Sequence, residues 1–263
     1  MKKVYKEDIV INSSLGYGAY SDVLECTYNQ KKFAYKRFLT PTEIIDKKFI
    51  YRMDKINELK EYLKYIPLYW VCDEFGVIGY LVEKADAKDL SSKSEKDILT
   101  KISILKDAKE KILLFHKLGL IHADIHSGNI IIDEEPHFID YDNASYKSLN
   151  PCEYNYSNDA YQYIKKYGVN SGIDVFLFNL LTYGFINDVD SMEIPIKIYN
   201  QEFGFFDNKN GRKICKSLWL DDDVFNNEFL IDNIDSESLE RNCKKMSKSK
   251  DNEKLYMIRN KAF

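Results

Sequence analysis

The first third of the chain alternates short hydrophobic runs of strand type with turn-forming residues. Three runs, "DIVINSS", "DVLECTY" and "KKFAYKRF", lie within residues 8–38 and are separated by Gly-rich or Asn/Gln turns. The stretch "LYWVCDEFGVIGYLVEK" at 68–84 predicts a hairpin with its turn near Glu74–Gly76. We expect these segments to form one small antiparallel sheet.

Helical periodicity dominates the remainder of the chain. Apolar residues recur at helical spacing over Thr42–Leu63, and Pro67 is expected to stop that helix. A longer helix is predicted over about Glu95–Leu118, and the apolar stretch "GIDVFLFNLLTYG" predicts another at 172–184. Short strands are predicted at "NIII" and "HFID", and the C-terminal third is expected to be helical.

A strand-rich front followed by a helical back predicts an α+β protein with two unequal lobes and a cleft between them. The polar segment 84–96 is the most natural boundary. It places a small lobe at about residues 1–84 and a larger lobe at about residues 85–263.

Composition narrows the class of protein. A hydrophobic content of 44% and an aromatic content of 14% exclude general disorder. The net charge of −4 hides many charges of both signs, so no polycation for nucleic acid is indicated. The N-terminus lacks the apolar core of a signal peptide, and no apolar run approaches the roughly 18 residues of a membrane span. We expect a soluble, cytoplasmic protein without nucleic-acid or membrane partners.

The cysteines and two charged stretches add little chemistry. An odd number of cysteines without a C-x-x-C pair predicts reduced, mostly buried thiols rather than a disulfide framework or a metal site: Cys26, Cys72, Cys152, Cys215 and Cys243. The stretch "DDD" at 221–223 could form a cation site, but an exposed loop or a helix start is the favoured interpretation. The stretch "CKKMSKSKDNEK" at 243–254 is interpreted as solvated surface.

Residues with chemical potential first appear between the predicted strands. The stretch "LGYGAYSDV" at 15–23 has the form G-x-G-x-x-S-x-V, and Gly16 and Gly18 would let the backbone approach phosphate oxygens. A plain hairpin turn is the commoner explanation of paired glycines taken alone. "FAYK" ends at Lys36, which either faces solvent or directs its ammonium group at a phosphate.

A polar loop precedes one of the short strands. "IHADIHSGNIII" at 121–132 places Asp124 and Asn129 five residues apart, and "HFIDYD" returns as a strand that ends at Asp140. Two carboxylates and a carboxamide suit Mg²⁺, which prefers a few oxygen ligands plus phosphate. A carboxylate that is not fully occupied by metal can also accept a proton from an attacking hydroxyl. A structural polar turn is the alternative.

Together these motifs resemble the protein kinase superfamily. "GYGAYSDV" resembles its glycine-rich loop, "FAYK" the strand with its phosphate-binding lysine, and "HADIHSGN" its H-R-D-x-x-x-x-N loop, while "IDYD" stands in place of D-F-G. "LLFHKLGLIHAD" and "GIDVFLFNLLTYG" resemble helices of the same family. The resemblance covers about residues 8–184. It implies a bilobal kinase-like domain over 1–263, with a small antiparallel sheet and one helix in the N-lobe and a mainly helical C-lobe.

The resemblance implies a role for each matched residue. Asp124 would orient or deprotonate the acceptor hydroxyl, Asn129 and Asp140 would hold Mg²⁺, and Lys36 would contact the phosphates of ATP beneath the loop of Gly16 and Gly18. The implied adenine, hinge and ribose contacts are Val23, Ala34, Ile131, Glu83, Ala85 and Asp89. Glu58 is the preferred partner of Lys36, with Glu61 as a competitor.

Several positions depart from the family pattern. Ala123 replaces the arginine of H-R-D, so control through a phosphorylated activation loop is not expected. Asp142 replaces the glycine of D-F-G and either assists the metal or hydrogen-bonds locally. "HSGN" resembles the H-x-G-N of small-molecule phosphotransferases and atypical kinases, and no clear A-P-E follows.

The expected activity is transfer of the γ-phosphate of ATP, with Mg²⁺, to a hydroxyl group. A protein serine/threonine kinase is the leading hypothesis because of the "DVFLFNLLTYG" helix. An aminoglycoside- or choline-type small-molecule phosphotransferase is the alternative, favoured by "HSGN" and the missing A-P-E. A pseudokinase scaffold ranks third, because the lysine, aspartates and asparagine of the motifs are all present.

Overall fold

The structure of the protein, a computed structural model, describes residues 1–18, 20–41, 45–87, 89–90, 97–151, 157–189, 228–237 and 239–241. Several predictions fall outside these residues: the first part of the helix at Thr42, the acidic stretch 221–223, the Lys/Ser stretch 243–254, Cys152, Cys215, Cys243 and most of the C-terminal third. The two described cysteines, Cys26 and Cys72, are buried free thiols, as predicted.

The protein is α+β, and its main sheet has six strands that are mostly antiparallel. The strands are β1 (Lys2–Tyr5), β2 (Val10–Tyr17), β3 (Ser21–Tyr28), β4 (Lys31–Phe38), β5 (Tyr69–Asp73) and β6 (Gly76–Glu83), in the order β1-β5-β6-β4-β3-β2. Strands β2–β6 confirm the predicted ones. Strand β1, which pairs parallel with β5, was not predicted, because only Val4 of its four residues is buried and no alternation is visible.

The two faces of this sheet differ in character. Because side chains alternate along a strand, directly paired residues share a face. One face packs into an apolar core made of Val4, Ile9, Leu24, Cys26, Phe33, Tyr35, Val71 and Leu81. The opposite face of the central strands carries Val23, Lys36 and Tyr80 in one cross-strand row, with Ala34 in the next row. Tyr35, which precedes Lys36 on β4, is buried in this core, so the Lys36 side chain lies on the opposite face.

Strands β4 and β6 approach closely at Gly79. A Cβ atom at this position would lie 2.1 Å from the backbone oxygen of Lys36 and 2.8 Å from the Tyr35 ring. No side chain fits in that space without moving β4. Glycine at this position therefore helps to set the position of Lys36.

The described α-helices are α1 (Lys47–Asn57), α2 (Ile98–Leu118), α3 (Asn158–Tyr167) and α4 (Gly172–Asn187). Helix α1 is shorter than the predicted 42–63 helix, because Asp46 caps its N-terminus by accepting the Phe49 N–H and turns follow Asn57. Helix α2 ends at Gly119, whose φ of 78° only glycine adopts easily. Helix α3 was not predicted. No helix in the described ranges has the length and apolarity needed to cross a membrane.

Four short strands frame two loops. Strands β7 (Leu120–Ile121) and β10 (Ser145–Tyr146) pair with each other, and β8 (Ile130–Asp133) and β9 (Glu135–Phe138) form the hairpin predicted from "NIII" and "HFID". The segment 122–129 thus joins β7 to β8, and the segment 139–144 joins β9 to β10.

The chain divides into two compact units. The first, Met1–Ser92 with Lys111–Asp174, contains all the strands given above and every residue predicted for the site. In the second, Lys93–Glu110 with Val175–Phe263, the Asn179 amide donates to the Glu228 carbonyl and accepts from the Leu230 N–H. The lobes expected at 1–84 and 85–263 divide the chain differently and stay a prediction.

Candidate functional site

The ammonium group of Lys36 lies between two carboxylates. Its Nζ atom is 2.6 Å from Asp140 Oδ1 and 2.8 Å from Asp142 Oδ2. Burial alone would lower the pKa of Lys36, but the two carboxylates outweigh burial and raise that pKa above its ordinary value. With 13% of its side chain exposed, Lys36 is a charged residue of the site and not a solvent-facing strand lysine.

Asp142 is fixed by contacts at both carboxylate oxygens and at its backbone. Its Oδ1 atom accepts from the Tyr80 hydroxyl at 2.6 Å, and its carbonyl oxygen accepts from the guanidinium group of Arg52 in α1. Burial and the like charge of Asp140 raise the pKa of Asp142 against the opposing effect of Lys36. Burial acts in the same direction on Asp140, but Lys36 outweighs it and lowers the pKa of Asp140.

The backbone at Asp140 turns sharply between two differently placed side chains. Asp140 has a φ of 64°, a left-handed conformation that costs a non-glycine residue about 1 kcal/mol. The conformation directs Asp140 to Lys36, while the next side chain, Tyr141, is buried beside Phe115 and His122. The Ile139 N–H donates to the Asn129 carbonyl at 2.9 Å, so this turn is tied to the preceding loop.

The loop between β7 and β8 folds around Asp124. The amide nitrogen of Asn129 donates to the Asp124 carbonyl at 3.0 Å and to Asp124 Oδ2 at 3.2 Å. The amide nitrogen of Asn143 donates to the same carboxylate oxygen at 3.2 Å. His126 caps the turn at Ser127–Asn129 by accepting the Gly128 N–H at Nδ1. The amide orientation of Asn129 leaves its oxygen as the atom that can bind a cation.

Asp174 anchors the start of this loop. It is fully buried, and its carboxylate accepts the N–H groups of His122 at 3.0 Å and Ala123 at 2.8 Å. His116 Nε2 lies 3.0 Å from the same carboxylate. Hydrogen bonds to a charged group contribute about 1.5–3 kcal/mol each. They hold Ala123 at a φ of 60°, a conformation it would not adopt unaided.

The residues matched to nucleotide contacts are spread along the same unit. Val23 and Ala34 share the sheet face of Lys36, and Asp89 pairs through its backbone with Ile131 of β8. Glu83, which is exposed, ends β6 opposite Phe33, and Ala85 follows half-buried. Their nucleotide contacts stay predictions.

The glycines of the β2–β3 hairpin differ in their surroundings. Gly16 lies within β2 opposite Val23, and the Gly18 N–H closes the turn onto the Ser21 carbonyl at 2.7 Å. Neither has a positive φ, and a Cβ at Gly16 would meet nothing within 4 Å. The fold itself therefore does not demand glycine at position 16, where its effect is to leave open space above the strand.

The structure does not bring Glu58 to Lys36. Glu58 follows the last residue of α1, pairs with Lys55 at 2.6 Å and is 56% exposed. The competitor Glu61 is exposed as well. Helix α1 ends before both residues, so the helical face that the periodicity predicted does not continue to them. Asp140 and Asp142 pair with Lys36 instead.

Some residues of the site were not predicted. Tyr80, Arg52 and Asn143 form hydrogen bonds with partners 62, 90 and 19 residues away in sequence, and such contacts leave no local pattern. Asp174 did leave a signal. It is an acidic residue in the first turn of a helix whose other residues are almost all apolar, and such a charge needs buried partners.

The described residues contain no group of three or more His, Cys, Asp or Glu that could hold a metal ion. A Mg²⁺ ion that bridges phosphates needs only one or two carboxylates from the protein. The oxygen-only pair of Asn129 and Asp140, on two loops joined by the Ile139–Asn129 hydrogen bond, fits that donor chemistry.

A scan against protein-family models finds no match for the chain, and no curated protein matches it. The function is therefore inferred from the residues of this chain and their contacts.

Proposed function

We propose that the protein is a bilobal, protein-kinase-like phosphotransferase that transfers the γ-phosphate of ATP to a hydroxyl group. The observation that carries this proposal is the direct contact of Lys36 with Asp140, which lie 104 residues apart in sequence. The loop of Asp124 and Asn129 is joined to Asp140 through the Ile139–Asn129 hydrogen bond. These contacts link the lysine motif, the Asp140 motif and the loop of Asp124, and they support the proposal.

Asp174 adds independent support to the proposal. The resemblance matches its helix to a family element without assigning a contact, and Asp174 holds the backbone at His122 and Ala123. A loop fixed in this way loses little conformational freedom on binding substrate. Rigid placement of reacting groups is the main demand of phosphoryl transfer.

The charges of the site suit a triphosphate. Lys36 is the cation for the phosphate oxygens, and the Asn129 oxygen and the Asp140 carboxylate are the residues that would hold Mg²⁺. When bound, Mg²⁺ neutralises charge on the phosphates. The free thiols of Cys26 and Cys72, the two cysteines that the structure describes, and the proposed use of ATP fit a cytoplasmic enzyme.

Asp124 is the group that receives the acceptor hydroxyl. Its carboxylate contacts two amide nitrogens, and in the described part of the chain it forms no ion pair. Its negative charge is thus available to orient the hydroxyl or to take its proton. General-base contributions are typically about 10²–10⁴-fold in rate.

We propose a serine or threonine of a protein as the acceptor. The family resemblance of helix α4, whose first turn contains Asp174, supports this choice. A small-molecule alcohol is the second candidate, favoured by the "HSGN" turn in which the His126 side chain accepts the Gly128 N–H.

The test is incubation with γ-labelled ATP and Mg²⁺, with a mixed set of protein acceptors and, separately, with amino alcohols and aminoglycosides. We expect label on serine or threonine of a protein, and at least about a hundredfold less of it with the Asp124→Asn variant. Label only on a small molecule would select the second candidate. Absence of both transfer and ATP binding would contradict the proposed function.

A further inference from the structure

The contacts of Asp142 differ from those expected of a metal ligand. Both of its carboxylate oxygens are engaged by the chain, Oδ1 by the Tyr80 hydroxyl and Oδ2 by Lys36. Its side chain is 17% exposed, half the 34% of Asp140. Asp142 is thus directed into the protein, while Asp140 keeps more of its surface open.

The two partners of Lys36 cannot share its charge equally during the proposed reaction. If Asp140 binds Mg²⁺, its charge is drawn to the metal, and the ion pair with Lys36 weakens. Asp142 then remains as the carboxylate that holds the Lys36 ammonium group at 2.8 Å. Tyr80 lies directly across from Lys36 on β6, so the anchor is tied to the same sheet as the lysine.

Helix α1 contributes a buried cation to this region. Its buried residues are Phe49, Arg52, Met53 and Ile56. Arg52 donates to the Asp142 carbonyl and so links α1 to the 140–142 turn that contacts Lys36. Glu58, the acidic residue expected from this helix, pairs with Lys55 at the protein surface.

We propose that Asp142 is the positioning residue of Lys36, taking the place that the sequence suggested for Glu58. The inference rests on the proposed function, because it concerns how the phosphate-binding lysine is held. It assigns different tasks to the two aspartates of "DYD": Asp140 would hold the metal, and Asp142 holds the lysine.

The test compares Asp142→Asn with Asp140→Asn over a rising series of Mg²⁺ concentrations. Asp142→Asn keeps the size of the side chain and its carbonyl oxygen. We expect it to lower kcat/KM for ATP at least tenfold, a loss that added Mg²⁺ does not restore. The loss in Asp140→Asn should be partly restored by Mg²⁺. Tyr80→Phe, which retains the carboxylate, should give a smaller loss that Mg²⁺ likewise leaves unchanged.

A double-mutant cycle measures the contact without any need for activity. The unfolding free energies of Lys36→Met, Asp142→Asn and the double variant should be non-additive, because both substitutions remove one contact. Additive values would overturn the inference, as would restoration of Asp142→Asn by Mg²⁺ or an equal loss in Glu58→Gln. If the wild-type protein transfers phosphate and Asp142→Asn does so equally well, this inference alone is contradicted. A wild-type protein that neither binds ATP nor transfers phosphate contradicts the proposed function.

Discussion

Asp142 and Asp124 lie on neighbouring loops of one unit, yet their surroundings differ in kind. Asp142 contacts Lys36 and a tyrosine hydroxyl and shares its cation with Asp140. Among the described residues, the Asp124 carboxylate accepts hydrogen bonds only from the amide groups of Asn129 and Asn143. The first carboxylate belongs to a cluster of mutually dependent charges, and the second keeps its charge unneutralised.

This difference matches the two proposed roles, positioning of Lys36 for Asp142 and contact with the acceptor hydroxyl for Asp124. A buried cluster of charges is stable only while each charge keeps its partner, so a change there should alter stability and ligand binding together. A carboxylate held by neutral groups can be changed with little effect on its neighbours. Substitution at Asp124 should therefore alter turnover and leave the fold intact.

The largest effect on stability is expected from removal of Asp174, which anchors the loop that contains Asp124. Asp174→Ala leaves the buried N–H groups of His122 and Ala123 without their acceptor. We expect a loss of about 3–6 kcal/mol in the free energy of unfolding, measured with denaturant. Asp232→Ala, which removes a half-exposed pair with Lys109, is the control and should cost about 1 kcal/mol or less. Equal losses in the two variants would contradict the anchoring role.

A substitution at Gly79 tests how the sheet positions Lys36, the partner of Asp142. Gly79→Ala forces β6 away from the Lys36 backbone and should cost about 1–3 kcal/mol of stability, with a parallel loss of ATP affinity. Gly16→Ala is the matched control, since a Cβ there meets nothing within 4 Å. It should leave the thermal unfolding midpoint almost unchanged while it weakens ATP binding. An unchanged midpoint for Gly79→Ala would show that the sheet adapts to the extra methyl group.

Removal of Mg²⁺ should have a smaller effect, which we expect on ATP binding at the cluster of Lys36, Asp140 and Asp142. Asp140 and Asp142 place two negative charges beside a single lysine, so ATP without a cation meets net repulsion. We expect ATP affinity to fall at least about tenfold when Mg²⁺ is replaced by a chelator. Calorimetric titration measures this directly. Equal affinities with and without Mg²⁺ would remove the metal-binding role from Asp140 and Asn129.

The sequence predicted the sheet better than it predicted the helices. The alternation of apolar and polar residues predicted β2–β6 because one face of the sheet packs against the apolar core. Periodicity extended the first helix to Leu63, and Leu59 and Leu63 are indeed buried, but the backbone there forms turns. Apolar spacing records which side chains are buried, and it does not record whether the backbone between them is helical.

The site was predictable where its residues are close in sequence. Asp124 and Asn129 belong to one loop, and their contact spans five residues. The contacts of Asp142 with Tyr80 and Arg52 span 62 and 90 residues. Such contacts follow from the tertiary arrangement of β6 and α1, and a single sequence carries no local record of them.

The most direct test of the central claim measures ATP affinity and phosphate transfer side by side in Asp124→Asn and Asp140→Asn. The account predicts that Asp124→Asn retains near wild-type Mg²⁺-ATP affinity and loses at least about two orders of magnitude in turnover. Asp140→Asn should lose both affinity and turnover, because a carboxylate that holds the metal also pairs with Lys36. Phosphate transfer by Asp124→Asn at the wild-type rate would contradict the assignment of the catalytic loop and favour a scaffold instead of an enzyme.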